Sequence, residues 1–243
     1  MDQMGNEKDA LSRRLARTAL LMDAAALDRL KTSHVMLFGL GGVGSYAAEA
    51  LARAGIGKLT LVDADVYVES NLNRQLGALC STLGRSKAQT EYERLKDINP
   101  EAQVTAVQAF HLPQDPVTIP TGVDFVADAI DTVSAKLDIA QTCYQRGIPL
   151  IACMGMANRY DPTQIRIGDL FETTFDPLCR VMRRELRRRG VPSLRCVYST
   201  EPAAGPETEN GERPEKGSLP YVPSVAGLYM AYEIVDTICR RNR

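Results

Sequence analysis

The sequence predicts an α/β fold: a Rossmann-like, mostly parallel sheet with helices on both faces, extended by a C-terminal mixed α/β portion. Apolar runs of strand length alternate with helical patterns over residues 30–155, an order typical of parallel sheets that are covered on both faces. Within this region a strand-like run, a glycine-rich turn, an Ala-rich helix and a second strand ending in an acid follow one another directly. That succession is the βαβ nucleotide-binding unit.

The glycine-rich turn is the motif around which the chain is organised. It follows the apolar run Val35 to Phe38, precedes a helical pattern from Val43 to Ala54, and contains four glycines: Gly39, Gly41, Gly42 and Gly44. Glycines let the backbone approach phosphate oxygens, and the N–H groups and dipole of the following helix attract the anion. A second apolar run, Leu59 to Val62, leads to Asp63, 19 residues after Gly44 and close to the ~20 typical of an acid that binds ribose hydroxyls. The pattern alone predicts an adenine nucleotide or dinucleotide without deciding between them.

The other elements follow from apolar periodicity and from turn signals. Upstream of the glycine turn, a helical pattern runs from Ser12 to Leu30. Downstream, helices are predicted at Ala88–Ile98 (capped by Ser86), Ser134–Gln145, Asp176–Arg189 and Ser224–Arg240, and strands at Gln103–Ala109, Val123–Ala129, Leu150–Cys153, Gln164–Ile167 and Leu194–Tyr198. Thr200 to Leu219 is rich in Pro, Gly and Glu, which predicts a mobile loop.

Composition and charge limit the class of protein. With 243 residues, of which 44% are hydrophobic and 24% charged, the chain has the composition of a soluble globular protein. A net charge of −1 predicts no overall attraction to polyanions, so any nucleic-acid contact needs a local basic surface. The polar N-terminus does not resemble a signal peptide, and Glu233 and Asp236 interrupt the apolar stretch from Val222 to Cys239. We therefore expect a cytoplasmic protein without a membrane partner.

The cysteines and histidines carry no recognisable catalytic pattern. The six cysteines form no CxxC pair, which favours reduced thiols and argues against a zinc site built from such pairs. Cys196 is a candidate nucleophile, but a buried strand thiol is the favoured interpretation because no histidine lies near it in sequence. His34 and His111 are expected to be structural.

Charged and amide side chains cluster beyond the second strand of the βαβ unit. The polar loop after that strand carries Asn71, Asn73, Arg74 and Gln75. Lys87 opens the next predicted helix, Asp65 lies two residues after Asp63, and Asp131 follows a strand that should neighbour the nucleotide. These side chains are expected to bind the nucleotide, because ligands of open parallel sheets bind at the carboxyl ends of the strands.

Fixed cations together with a carboxylate for Mg²⁺ suit attack on the α-phosphate of ATP. Charge builds up there on the phosphorus oxygens and on the departing pyrophosphate. The Walker A pattern is absent from the sequence, so P-loop chemistry is excluded.

These segments resemble the ThiF-type family, which is related to ubiquitin-activating enzymes. The matching motifs are GLGGVGS (Gly39–Ser45), VDAD (Val62–Asp65), NLNRQ (Asn71–Gln75), GRSK (Gly84–Lys87) and DAID (Asp128–Asp131). The resemblance implies that Arg74 and Lys87 bind phosphates and that Asp131 binds Mg²⁺, while Asp128 either shares that role or caps its strand. It also implies that Arg17, within RLARTALL, reaches across a homodimer into the partner's ATP site. We expect one ThiF-type domain over residues 1–243, with an ATP-binding half at about 30–155 and a substrate-facing half at about 156–243.

The second half indicates a branch of this family. Members that activate small sulfur-carrier proteins usually have two CxxC zinc pairs, which this chain lacks. Its motifs PTQIRIGDL (Pro162–Leu170), DPL (Asp176–Leu178), CVYSTE (Cys196–Glu201) and PSVAG (Pro223–Gly227) instead resemble the branch that dehydrates threonylcarbamoyladenosine in tRNA. The resemblance implies that ATP adenylates the carboxylate of that modification, beside the anticodon, and that cyclisation follows with release of AMP and pyrophosphate. ATP and Mg²⁺ are the implied cofactors, with a monovalent cation as a further candidate.

An arginine-rich helix is the candidate tRNA surface. Five arginines at i, i+3, i+4, i+7 and i+8 share one predicted helix face: Arg180, Arg183, Arg184, Arg187 and Arg188. Such a face suits the tRNA backbone near the anticodon, although a solvated helix is the alternative. Three other functions remain open: adenylation of a sulfur-carrier protein, an NAD-dependent oxidoreductase, and a non-catalytic scaffold. The joint presence of Arg74, Lys87 and Asp131 argues against the scaffold.

Overall fold

The computed structural model describes residues 13–174, 176–204 and 216–240, and the strands of these ranges form one seven-stranded sheet. The strands are β1 (His34–Phe38), β2 (Lys58–Val62), β3 (Gln103–Val107), β4 (Phe125–Asp128), β5 (Leu150–Cys153), β6 (Ile165–Asp169) and β7 (Arg195–Ser199). Their order across the sheet is β3-β2-β1-β4-β5-β7-β6. All neighbours pair in parallel except β6, which is antiparallel to β7. The predicted α/β class, with a mixed C-terminal portion, is confirmed.

Helices cover both faces of this sheet. They are α1 (Ala24–Thr32), α2 (Gly44–Ala54), α3 (Lys87–Ile98), α4 (Val133–Arg146), α5 (Pro177–Arg188) and α6 (Tyr221–Arg240). Side chains of a strand alternate between faces, and in β1 Val35 and Leu37 join the apolar cluster that includes residues of α1, α2, α3 and α6. Met36 and Phe38 point to the opposite face, where they pack with Ile139 of α4. Strand β1 is therefore buried on both sides, as the alternation of strand and helix patterns predicted.

The single helix predicted over Ser12–Leu30 is wrong. Ser12 lies outside the described residues, and the chain beyond it forms a short 3-10 helix at Thr18–Leu20 before α1 begins at Ala24. Asp23 is extended (φ −71°, ψ 164°), and its carboxylate accepts a hydrogen bond from Ala26 N at 2.7 Å. Asp23 is therefore an N-cap that starts a new helix. The apolar periodicity continues across this residue and does not indicate that one helix ends and another begins.

Most other predicted elements differ from the structure only at their ends. Ser86 caps α3 as predicted, by accepting a hydrogen bond from Gln89 N at 3.4 Å. The last helix begins at Tyr221 rather than Ser224, because Pro223 is tolerated in a first turn, where its missing N–H has no partner to lose. Most of the loop predicted over residues 200–219 lies outside the described ranges.

Burial and buried polar contacts explain several side chains whose roles the sequence analysis left undecided. Asp128 forms an ion pair with Lys136 at 2.9 Å, with both side chains inaccessible to solvent, so its structural role as the acid that ends β4 is favoured over metal binding. The ring of His34 bonds Thr60 Oγ1 at 2.9 Å. Cys196 is fully buried in β7, and this burial raises the pKa of its thiol, which opposes a nucleophilic role.

Across the ranges that the structure describes, no helix combines the length with the apolar character that a membrane span requires.

Candidate active site

The carboxyl ends of β1, β2, β4 and β5 meet at one edge of the sheet, and the glycine turn lies there. Gly39 has φ +87°, and a Cβ on it would lie 2.8 Å from the backbone of Ala129. A Cβ on Gly44 would lie 1.8 Å from Gly39 O. These two glycines are therefore required by the turn itself. Gly41 is different, because its nearest neighbour, Gln75 Nε2, would be 3.9 Å from an added Cβ.

This difference gives a matched pair of variants. We expect Gly44→Ala to lose more than the ~1–3 kcal/mol typical of overpacking, because the clashing atom is backbone and has no rotamer to change. Gly41→Ala should keep near-normal stability and weaken ATP binding, because its methyl group would enter the space over the turn. Thermal unfolding and ATP titration of both variants check this. An equal loss of stability in the two would show that Gly41 is also structural.

Asp63 is held in place at the end of β2 by the turn. One carboxylate oxygen accepts a hydrogen bond from Leu40 N at 2.6 Å and the other from Asp65 N at 2.8 Å. Burial raises the pKa of Asp63, while these two backbone bonds and the nearby Lys87 oppose that rise. Each oxygen keeps a free lone pair, so the carboxylate can accept hydrogen bonds from two ribose hydroxyls.

Lys87 is brought next to this acid pair. Its side chain is 7% exposed, and its ammonium contacts Asp65 Oδ2 at 3.0 Å. The backbone is joined at the same point, since Lys87 N donates to Asp65 O at 3.0 Å. Burial of a cation beside a single, largely exposed carboxylate leaves ammonium hydrogens free for a phosphate.

The amide-rich loop lies against the glycine turn, since a Cβ on Gly42 would be 3.3 Å from Arg74 Cγ. Arg74 is bent back onto the loop, where its Nη1 donates to Ser70 O at 2.8 Å and to Asn73 Oδ1 at 2.9 Å. Asn71 is buried, and its Oδ1 accepts from Val68 N at 3.2 Å. Gln75 is also buried, next to the glycine turn, and its Oε1 has no hydrogen-bond partner among the described residues. The loop therefore places the Gln75 amide beside the turn, while the Arg74 guanidinium is held by the loop itself.

The loop after β4 carries the candidate metal ligand. Ala129 N donates to Phe38 O at 2.8 Å, which joins this loop to the start of the glycine turn. Asp131 follows with an exposed side chain. Among the described residues no cluster of three or more metal-ligating side chains occurs. One carboxylate still suits Mg²⁺, because this ion is commonly bound by one or two carboxylates together with substrate phosphates and water.

Arg17 is not brought to the site within its own chain. Its side chain is exposed in the N-terminal segment, and in the described part of the chain it has no hydrogen bond or ion pair with the other predicted site residues. Its proposed role depends on a second subunit.

The arginines of α5 are not equivalent, although nothing in the helical spacing separates them. Arg183 Nη1 donates to Thr173 O at 2.8 Å and also contacts Thr173 Oγ1 and Leu170 O, so it fixes the turn before the helix. Arg187 lies over the Phe171 ring at 5.2 Å. The other three are exposed and, among the described residues, make neither kind of contact: Arg180, Arg184 and Arg188. Of these, Arg184 contacts Glu185 at 2.8 Å and Arg188 approaches it to 3.7 Å.

A buried acid behind the site was missed by the sequence-based prediction. Glu91 of α3 has no solvent exposure and accepts a hydrogen bond from Tyr67 O–H at 3.0 Å, while its Oε2 has no partner among the described residues. Burial raises the pKa of Glu91 to about 7 from an ordinary value of 4.5. In the sequence, Glu91 is one polar residue within an amphipathic helical pattern, and this pattern does not indicate that its side chain is buried.

Glu91 predicts a pH dependence of stability. The folded state keeps the proton up to about pH 7, whereas the unfolded chain releases it near 4.5, so the free energy of unfolding should fall as pH rises between these values. We expect the free energy of unfolding of Glu91→Gln not to fall in this way. Relative to wild type, it should therefore increase by on the order of 3 kcal/mol from pH 4.5 to pH 8. Urea unfolding across this range measures it. Glu93→Gln, an exposed acid on the same helix, is the control, and an equal gain there would contradict the assignment.

Together the parallel sheet, the glycine turn and the acid after β2 define an adenine-nucleotide-binding α/β protein. The ThiF family model matches residues 11–243, and the chain belongs to the ThiF family, as its motifs predicted.

The chain is similar to enzymes that act on one tRNA modification. It is 40% identical over 234 residues to tRNA threonylcarbamoyladenosine dehydratase of Bacillus subtilis, covering 90% of this chain and 92% of that protein. The Escherichia coli dehydratase is 39% identical over 210 residues, covering 83% and 78%. Crystal structures of the E. coli enzyme superpose with TM-scores of 0.88 in complex with AMP and 0.85 in complex with ATP, at 35% and 34% identity, and each comparison covers 96% of both chains.

Proposed function

We propose that this chain is an ATP-dependent enzyme that adenylates the carboxylate of threonylcarbamoyladenosine in tRNA, beside the anticodon, and promotes its cyclisation. The observation that carries the proposal is that Asp63, its neighbour Lys87 and the Arg74 side chain, whose Cγ would be 3.3 Å from a Cβ on Gly42, lie around the glycine turn. The chain is also similar over most of its length to dehydratases solved with AMP and ATP. A tRNA substrate also favours the cytoplasm as its location.

The chemistry follows from where the charges lie. A carboxylate oxygen of the modification attacks the α-phosphorus of ATP, an O–P bond forms, and the bond to pyrophosphate breaks. Lys87 and Arg74 stabilise the charge that develops on the phosphate oxygens. Mg²⁺, held by Asp131 and the phosphates, would neutralise charge on the departing pyrophosphate. A nucleophilic atom of the modification then attacks the acyl carbon and loses its proton, and AMP leaves with the former carboxylate oxygen.

We propose a homodimer in which Arg17 completes the partner's site. Exposed apolar side chains support an interface of this kind: Tyr221, Leu228, Tyr229 and Tyr232 on one face of α6, and Leu20 and Leu21 in the segment that carries Arg17. Clusters of exposed apolar side chains commonly mark a contact between proteins.

The exposed arginines of α5 are proposed to hold the tRNA backbone. We expect Arg184→Ala/Arg188→Ala to weaken tRNA binding about tenfold at low salt and to reduce the salt slope by about 1 for each phosphate that is no longer neutralised. ATP affinity should stay unchanged. Arg53→Ala/Arg240→Ala is the matched control, because it removes the same charge from two exposed arginines that also pair with acids on their own helices. Equal tRNA affinity in the two double variants would leave α5 a solvated helix.

Nucleoside mass spectrometry tests the proposed function. Threonylcarbamoyladenosine-containing tRNA is incubated with the protein, with and without ATP, and then digested to nucleosides. A product lighter by one water, formed only with ATP, is expected. AMP release that depends on a carrier-protein C-terminus and not on tRNA would instead favour the sulfur-carrier alternative.

A further inference from the structure

A buried guanidinium lies beyond β5, at the same sheet edge as the nucleotide site. The side chain of Arg159 is 2% exposed, and its Nη2 is 3.6 Å from Asp176 Oδ2. That distance is too long for a hydrogen bond. Within the described ranges, Nε and Nη1 of Arg159 have no hydrogen-bond partner, and neither does Asp176 Oδ2. Within those ranges, a buried cation therefore has two of its three nitrogens without a hydrogen-bond partner.

Such an arrangement does not serve stability. Buried charges are strongly disfavoured unless hydrogen bonds satisfy them, and apolar residues of similar volume are often at least as stable. The other oxygen of Asp176 is already used, because Oδ1 caps α5 by accepting from Cys179 N at 3.0 Å. Gly155 leaves room for the pair, since a Cβ there would lie 3.0 Å from Asp176 Oδ2. Unused, fixed donors of this kind are typical of a group kept for a ligand.

The loop that carries Arg159 is tied to the nucleotide loop. Asn158, which has φ +58°, donates from its N–H to Gly217 O at 2.8 Å and accepts from Gly217 N through its Oδ1 at 2.7 Å. The next residue, Ser218, accepts from Asn73 Nδ2 at 3.0 Å. Through Gly217 and Ser218, the loop that carries Arg159 is therefore joined to the amide-rich loop of the candidate nucleotide site.

We propose that Arg159, held by Asp176, binds the carboxylate of the threonylcarbamoyl group before adenylation. The proposal rests on the function proposed above. One carboxylate oxygen accepts hydrogen bonds from the guanidinium, and the other is left to attack the α-phosphorus. The guanidinium forms and breaks no covalent bond. Its role is recognition and orientation, which charge-assisted hydrogen bonds supply with well-defined geometry.

Competition binding tests this role. The protein is titrated with tRNA that carries the threonylcarbamoyl group and with the same tRNA lacking it, in the presence of a non-hydrolysable ATP analogue. Wild type should prefer the modified tRNA, and Arg159→Met should lower that preference on the order of 10- to 100-fold. Arg159→Lys should keep part of it. ATP affinity and affinity for unmodified tRNA should not change.

Stability separates recognition from a structural role. Arg159→Met leaves the buried Asp176 carboxylate without its partner and should unfold at a lower temperature than wild type, whereas Arg159→Met/Asp176→Asn removes both buried charges and should recover that stability. Asp176→Asn alone keeps the cap to α5 and should lower the preference while the protein stays folded. An unchanged preference in a folded Arg159→Met variant overturns the proposal, as does a wild-type preference in the stable double variant. If wild type itself neither prefers modified tRNA nor forms AMP with it, the proposed function fails instead.

Discussion

Replacing Lys87 by methionine should lower kcat for tRNA-dependent AMP formation by about 10²- to 10³-fold, the scale for losing one preorganised electrostatic group. In the proposed mechanism, the ammonium, which is buried beside Asp65, donates to the α-phosphate. Its contribution therefore grows as charge develops on the phosphate oxygens. Methionine retains most of the volume, and loss of the ion pair with an exposed acid costs only about 0–1 kcal/mol, so the fold should survive.

The measurement is release of AMP and pyrophosphate with saturating ATP and modified tRNA. Lys31→Met, which removes an exposed lysine of α1 shortly before the amino end of β1, is the control and should retain wild-type activity. An unchanged kcat in Lys87→Met would remove Lys87 from the reaction. Release of ADP and phosphate by wild type would exclude attack at the α-phosphate.

Arg17→Ala and Asp131→Ala should each lose about 10²-fold or more in kcat, and mixing the two variants should restore part of the activity. In a mixed dimer, one site receives its Asp131 from the first variant and Arg17 from the second, and it is intact. Random pairing makes half of the dimers mixed, each with one working site, so about a quarter of wild-type activity is expected.

Differently tagged subunits allow the mixed dimers to be isolated and counted. Mixed dimers that form and stay inactive would contradict the cross-subunit role of Arg17. Full activity in the Arg17→Ala homodimer would contradict any role for this arginine.

The features predicted from sequence are those encoded locally. Alternation of strand and helix patterns was enough to predict the parallel sheet. The glycine spacing and the acid after β2 predicted the nucleotide site, and the structure joins Asp63 to the turn through Leu40 N. The break at Asp23 was missed because a helical period continues across a capping residue, although the cap chemistry is visible in the sequence once that residue is considered.

The features missed depend on tertiary pairing. Lys136 and Asp128 are ordinary charged residues in sequence, and only the packing of α4 on β4 makes them a buried ion pair. Arg183 was predicted on one helix face with four other arginines, but its guanidinium donates a hydrogen bond to Thr173 O. Arg159 lies in a loop without a motif, and its burial follows from contacts with a helix that begins 18 residues later, at Pro177. No local sequence pattern predicts such contacts between residues that are distant in sequence.

The central claim is that a carboxylate of the tRNA modification is adenylated by ATP. The most direct test uses modified tRNA in which both oxygens of the threonylcarbamoyl carboxylate are a heavy isotope, with mass spectrometry of the AMP released. If the carboxylate attacks the α-phosphorus and AMP later leaves with that oxygen, every AMP molecule formed with the cyclised nucleoside should carry one heavy oxygen. Unlabelled AMP formed alongside the same cyclised product would mean that the carboxylate never reached the phosphorus, and it would contradict the claim.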